Sequence, residues 1–229
     1  EQNADIDARQ TMDATSLPTY AQVIGVLNRI AQPNDYVLTS SGGLAGELVM
    51  NWRANGVASF DCEYGFSCMC YEVSGAWGAA MERAASDPSA NVYGLLGDGS
   101  FMMNPQILID AVEHRVHGMV VIFDNRRMAA ITGLQHAQYG HEFRTNDRVA
   151  VDYVRLASAV DGVLAIHGGW TRAELMAALE KGFAHPGLSV LHVPVYAGQD
   201  PLAGLGAWGS WNVGNWCEAV QDAWLKQDI

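Results

Sequence analysis

Residues 95–105 read LLGDGSFMMNP. An apolar run over 92–96 halts at Gly97-Asp98-Gly99, leaving one carboxylate between two glycines at the end of a strand-like segment. Glycine lets backbone come close to a ligand, but Gly and Asp also dominate ordinary turns, so the triplet alone reads either way. The longer stretch is more informative. Residues 97–125, GDGSFMMNPQILIDAVEHRVHGMVVIFDN, run from the glycine-flanked acid through a helical pattern and a second apolar run to Asp124-Asn125.

The same alternation extends along the chain. Apolar, strand-like runs occur at 35–41, 91–97, 118–125, 162–168 and 189–196, with a weaker one at 58–64. Several are apolar on consecutive residues, as in strands covered on both faces. Helical patterns lie between them. Tyr20, Val23, Ile24, Leu27 and Ile30 recur at helical spacing, Asn104 and Pro105 look like a helix start, and Thr171 with Glu174 has capping-box spacing. The expected fold is α/β: a doubly wound, mainly parallel six-stranded sheet with helices on both faces, formed by residues 16–229 behind a polar tail at 1–15. Ligands of such sheets sit beyond the carboxyl ends of the strands. Ser40-Ser41-Gly42-Gly43, Asp98 and Asp124-Asn125 all fall there.

If the runs ending at Asp98 and Asn125 are neighbouring strands, their ends lie ~5 Å apart. An Asp carboxylate and an Asn amide oxygen at that spacing can share one hard cation such as Mg2+, which takes few protein oxygens and fills its shell with phosphate and water. Gly97 and Gly99 give phosphates access, and a helix N-terminus nearby favours anions.

Residues 97–125 resemble the signature of thiamine-diphosphate enzymes, in which Gly-Asp-Gly is followed some two dozen residues later by Asn-Asn. Here Asp124 stands for the first Asn, and Asn125 matches the metal-binding one. The resemblance is to the pyrophosphate-binding domain of the acetolactate-synthase-like superfamily. It implies that the side chains of Asp98 and Asn125 and the carbonyl of Arg127 bind Mg2+, with Gly97, Gly99 and Ser100 near the diphosphate. EYGFSCMCYE, at 63–72, stands where relatives carry a glycine-rich loop. Gly65 keeps the first glycine, while Ser67 and Cys70 replace the others. By the same resemblance Met69 is the apolar wedge under the bent cofactor, and the Ser67 carbonyl accepts from its 4'-amino group. Ser41 and Gly42 contact the diphosphate. Without the motif, Met69 reads as a core methionine and SSGG as a strand-to-helix turn.

The family's activating glutamate belongs to a separate pyrimidine-binding domain, and Glu63 and Glu72 do not match it. The expectation is a partner subunit carrying that glutamate, in a heterotetramer or larger assembly resembling the split sulfopyruvate decarboxylase type. No catalytic residue is then assigned to this chain. EYGFSCMCYEVSGAWG, FDNRRMAAITGLQ and WGSWNVG (208–214) look most like trihydroxycyclohexane-dione and cyclohexane-1,2-dione hydrolases. Those enzymes cleave a C–C bond of a cyclic dione. Arg126-Arg127 departs from that pattern. The alternatives are a 2-oxo acid decarboxylase, an acetolactate-type carboligase, or a non-catalytic cofactor-binding scaffold. Gln135, His136 and His141 are substrate-side candidates because polar and titratable groups follow the metal motif. Trp208, Trp211 and Trp216 are candidate interface anchors.

The composition narrows the partners. A formal net charge of −12 with 13 basic residues argues against a nucleic-acid surface. No run approaches the ~20 apolar residues of a membrane span. The four cysteines form no CxxC pair, and Cys62, Cys68 and Cys70, in an apolar-aromatic stretch, read as small core hydrophobes of a cytoplasmic protein. SSGGLAGE lacks the full glycine pattern of a dinucleotide-binding turn. Gly75 and Gly78, in the helix after Met69, point to close packing of that helix.

Overall fold

The computed structural model describes residues 17–63, 65–145 and 149–196. The elements are α1 (Tyr20–Ile30), β1 (Tyr36–Thr39), α2 (Gly42–Asn51), β2 (Phe60–Cys62), α3 (Tyr71–Ser86), β3 (Val92–Gly97) and α4 (Asp98–Met103). They continue with α5 (Ile107–His114), β4 (Gly118–Asp124), α6 (Ala129–Tyr139), α7 (Tyr153–Ser158), β5 (Leu164–His167), α8 (Arg172–Phe183) and β6 (Leu188–Pro194). The six strands form one sheet in the order β2-β1-β3-β4-β6-β5, every described pair parallel. The chain winds outward from β1 to β2, then returns to β3 on the other side of β1. The topological switch point therefore lies between β1 and β3, where such folds open a crevice.

Strand periodicity sorts the core into two layers. Met119, Val121 and Phe123 of β4 pack with Ile24 and Leu27 of α1 and Leu175 and Leu179 of α8. Val120 and Ile122 pack on the opposite face with Val73 and Trp77 of α3 and Leu108 of α5. All seven β4 residues are buried, which is why that run is apolar without alternation. Capping boxes fix the entry to two helices. Thr19 and Gln22 close α1, and the predicted Thr171 and Glu174 pair closes α8.

Two expectations are corrected. Asn104 caps no helix start. A helix begins directly at the strand end, at Asp98, and Asn104 ends it with φ −145°, before α5 starts at Ile107. Pro105 disfavours α-conformation at the residue before it and cannot donate, so it splits one helical pattern into two. None of the three described cysteines is fully buried in the core either, although Cys70 packs against its edge. Cys68 is exposed, and Cys62 and Cys70 are partly so, because all three lie at or beside the carboxyl rim of the sheet. Cys217, the 208–214 stretch and Trp208, Trp211 and Trp216 lie outside the described residues.

The close packing of α3 is local. A Cβ on Gly94 of β3 would stand 2.9 Å from the Ala76 Cβ and 3.1 Å from the Glu72 carbonyl oxygen. One on Gly75 would meet Leu38 at 2.6 Å, whereas one on exposed Gly78 would meet nothing within 4 Å. Gly94→Ala should therefore cost about 1–3 kcal/mol, since neither neighbour can rotate away. Gly78→Ala should stabilise by up to ~1 kcal/mol through helix propensity. Denaturant unfolding of the two variants checks both signs.

Candidate functional site

A cavity of about 320 Å³ opens at the carboxyl ends of β1, β3 and β4. Each strand contributes one polar segment to it. After β1, the Thr39 hydroxyl donates to the Leu95 carbonyl at 2.9 Å and ties the two strands at the rim. Ser41 then caps α2 in extended backbone, and Gly42 follows at φ +83° with open space around it. That left-handed turn favours glycine. Both residues line the cavity.

After β3, Asp98 is the first residue of α4 and is 8 % exposed. Burial, with the Asp124 charge next to it, pushes its carboxyl up to about 7, against the pull of the Gly99 amide. Gly99 lies under two thioethers. A Cβ there would stand 2.9 Å from the Met128 sulfur and 3.6 Å from the Met69 methyl. Met69 thus forms cavity wall rather than sheet core.

After β4, Asp124 accepts from the His192 ring at 2.9 Å and from the Arg126 amide at 3.0 Å. Burial opposes its ionisation, but these bonds outweigh that and hold its carboxyl below the usual range. Asn125 is held from both ends. Its Oδ1 accepts from the Arg127 amide at 2.9 Å, and its Nδ2 donates to the Tyr20 hydroxyl. Parallel pairing of β3 with β4, Gly97 opposite Phe123, brings Asp98 and Asn125 into the one cavity.

The loop at 63–70 closes the rim. Glu63 accepts from the Phe66 and Cys68 amides at 2.9 and 3.1 Å. Ser67 and Cys70, the residues that replace loop glycines, stand at φ +53° and +67°. The backbone keeps the left-handed conformation that glycine would adopt freely, at ~1–2 kcal/mol per residue. Ser67 lines the cavity, while Gly65 is exposed and outside it.

The other wall is apolar: Leu44 of α2 with Met128, Ile131 and Leu134 of the α6 segment. Gln135 and His136 belong to α6 but do not line the cavity. Helical rotation carries His136 off the face of Ile131 and Leu134, whereas Gln135, one turn beyond Ile131 on that face, is engaged by the 141–143 loop instead. Gln135 accepts from the Phe143 amide at 2.7 Å, and His136 stands 3.4 Å from Glu142. His141 packs against the Phe143 ring. Arg127 lines the cavity, with its guanidinium 3.8 Å from Glu142.

Besides the apolar wall of Leu44, Ile131 and Leu134, the sequence reading missed Tyr20, Met128, His192 and the role of Glu72. Tyr20 had a place only in an amphipathic helical pattern. Met128 and His192 carried no motif. Glu72 was weighed only as an activating acid. It is instead 1 % exposed and accepts from the hydroxyls of Ser40 and Ser100.

Comparison with known proteins identifies the family and the fold. A family model described as "Thiamine pyrophosphate enzyme, C-terminal TPP binding domain" matches residues 42–193, more than half of the chain. The chain is 36 % identical over 172 residues to 3D-(3,5/4)-trihydroxycyclohexane-1,2-dione hydrolase of Bacillus licheniformis, covering 72 % of this chain and 26 % of that protein. It is 30 % identical over 220 residues to the protein of that name from Shouchella clausii, covering 92 % and 33 %. The chain thus spans a quarter to a third of the length of these relatives. In fold it is similar to benzoylformate decarboxylase of Polynucleobacter necessarius, with a TM-score of 0.74, 22 % identity, and 83 % of this chain and 36 % of that one covered. It also resembles 4-hydroxybenzoylformate decarboxylase of Rhodococcus jostii RHA1, with a TM-score of 0.73, 18 % identity, and 83 % and 35 % covered.

Asp98 titrates near ~4 in an unfolded chain and at about 7 in the fold. Between those values the unfolded chain releases the proton and the fold keeps it, so stability falls as pH rises through that window. Without metal, Asp98→Asn should be more stable than the parent by about 1–3 kcal/mol near pH 8, with the gap closing toward pH 4. Unfolding curves at the two pH values test this, and a gap independent of pH would reject it.

Proposed function

We propose a function on a premise already secured: the chain belongs to the thiamine pyrophosphate enzymes, as their C-terminal TPP-binding domain. It holds thiamine diphosphate through Mg2+ and, with a pyrimidine-binding module, cleaves a C–C bond next to a carbonyl by hydrolysing a cyclic 1,2-dione. The observation that carries this reading is Asp98 and Asn125 lining one cavity with Ser41, Gly42 and Met69.

The residues fit the group. Hard oxygen donors suit Mg2+, and a buried Asp98 crowded by Asp124 is a carboxylate that a cation would relieve. Asp98, Asn125 and the Arg127 carbonyl hold the metal. Ser41, Gly42 and the Gly97–Ser100 turn would take the diphosphate and Met69 would back the cofactor, which when bound would supply carbanion chemistry toward a substrate carbonyl. The Ser67 carbonyl receives the 4'-amino group. Leu44, Ile131 and Leu134 would give the bound cofactor an apolar wall.

The activating glutamate comes from the pyrimidine-binding module, which we assign to a separate subunit of a heteromer. Among the described residues no glutamate lines the cavity. Glu72 is engaged by serines and Glu63 by loop amides. Phe66, 91 % exposed beside the rim, is an apolar contact that such a module would cover. The dione is favoured as substrate by the relatives at 30–36 % identity that bear that enzyme's name.

Calorimetric titration of thiamine diphosphate into the protein with its pyrimidine module should give binding that requires Mg2+ and is lost in Asp98→Ala. Turnover of cyclohexane-1,2-dione should then yield an open-chain acid without CO2. Metal-independent binding, or binding that survives Asp98→Ala, would refute the site. Release of CO2 from a 2-oxo acid, with no attack on the dione, would refute the substrate.

A further inference from the structure

Glu72 opens α3 beneath the cavity and is 1 % exposed. Among the described residues no cationic side chain pairs with it. A buried, unpaired carboxylate is costly. Its surroundings are serine hydroxyls and backbone, and their protons can be counted.

Ser100 Oγ accepts from the Cys70 amide at 2.6 Å and lies against Glu72 Oε1. Its single proton goes to that oxygen. Ser40 Oγ lies against Glu72 Oε2 and 2.9 Å from the Cys68 carbonyl. It also has one proton but faces two acceptors if Glu72 is ionised. One oxygen–oxygen contact would then lack a proton. A proton on Glu72 Oε2 removes the conflict. Glu72 donates to Ser40, and Ser40 donates to Cys68.

We propose that Glu72 is a positioning residue that stands as a neutral carboxylic acid. It is the middle link of a hydrogen-bonded chain from the Cys70 N–H, through Ser100, Glu72 and Ser40, to the Cys68 carbonyl. The two ends of this chain flank Met69. The chain holds a segment whose neighbours Ser67 and Cys70 are kept in left-handed backbone. It also ties together Ser40, next to cavity-lining Ser41, and Ser100, which lines the cavity itself. One proton thus sets the spacing of three loops that surround the site. Burial acts in the same direction, raising the carboxyl above its usual range despite the serine bonds. The titratable group facing it from β2 is the Cys62 thiol, which burial, with the Asp61 and Glu63 charges nearby, pushes up to about 11.

Glu72→Gln tests the proton directly. The amide can accept from Ser100 and donate to Ser40, as the acid does, whereas an ionised carboxylate has no such mimic. At neutral pH, the infrared difference spectrum of parent minus Glu72→Gln should contain the carbonyl band of a buried protonated acid. The methyl NMR signal of Met69 should stay in place in Glu72→Gln and move in Glu72→Leu and in Ser40→Ala. Where the proposed cofactor reading holds, Glu72→Gln should keep cofactor affinity, and Glu72→Leu should lose about tenfold or more, the net worth of a hydrogen bond. A difference spectrum showing only carboxylate bands, or a Met69 signal displaced as far by Gln as by Leu, would overturn the proposal. If Glu72→Leu does not fold, Ser40→Ala serves in its place. The infrared and methyl signals need no cofactor. Their success beside a failed titration would sink the cofactor reading and leave the Glu72 chain standing.

Discussion

Parallel pairing of β3 with β4 is the constraint on which the rest depends. With Gly97 opposite Phe123, the residues that follow the two strands must leave the sheet at the same height. Parallel strands also place the carboxyl ends of all six at one rim, so the loop after β1 joins them. The pairing is enforced by burial on both faces. Met119, Val121 and Phe123 face one layer, Val120 and Ile122 the other, and a one-residue slip would exchange those layers. The core therefore specifies the geometry of the rim, and one core residue, Tyr20, reaches the cavity's polar side by accepting from Asn125.

At that rim the electrostatics separate two adjacent acids. Asp124 is anchored by His192 and the Arg126 amide, and it keeps its charge. Asp98, buried beside it, has only backbone amides to offset that charge. The result is a concentrated negative site bordered by an Asn125 amide locked from both ends. Such an arrangement costs stability unless a cation enters, in keeping with the proposed metal-dependent function.

The loop at 63–70 shows how backbone shape outlasts the residue that usually encodes it. Ser67 and Cys70 adopt conformations suited to glycine. Hydrogen bonds from the Cys68 amide to Glu63 and from the Cys70 amide to Ser100 help hold the loop there. Met69 and Met128 crowd over Gly99, where a side chain would collide. The proximity of these thioethers to the acidic turn results from packing between segments distant in sequence.

By itself the sequence determined the alternating strand and helix pattern, the parallel sheet, and the placing of Asp98 and Asn125 at one rim. These follow from local signals: consecutive apolar runs for doubly covered strands, glycines where backbone turns sharply, and polar residues just past strand ends. The family signature was legible for the same reason, since its residues keep fixed spacing along one strand–helix–strand unit. Tertiary structure alone decided what surrounds that pair. Tyr20, Glu72 and His192 come from α1, α3 and β6, and no spacing rule links them to residues 97–125. Gln135 and His136 looked eligible by sequence proximity, but neither lines the cavity: Gln135 is engaged by the Phe143 amide and His136 lies beside Glu142. Hydrogen bonds across loops and the facing of helices depend on how layers dock, and docking is set by side-chain volumes summed over the whole core.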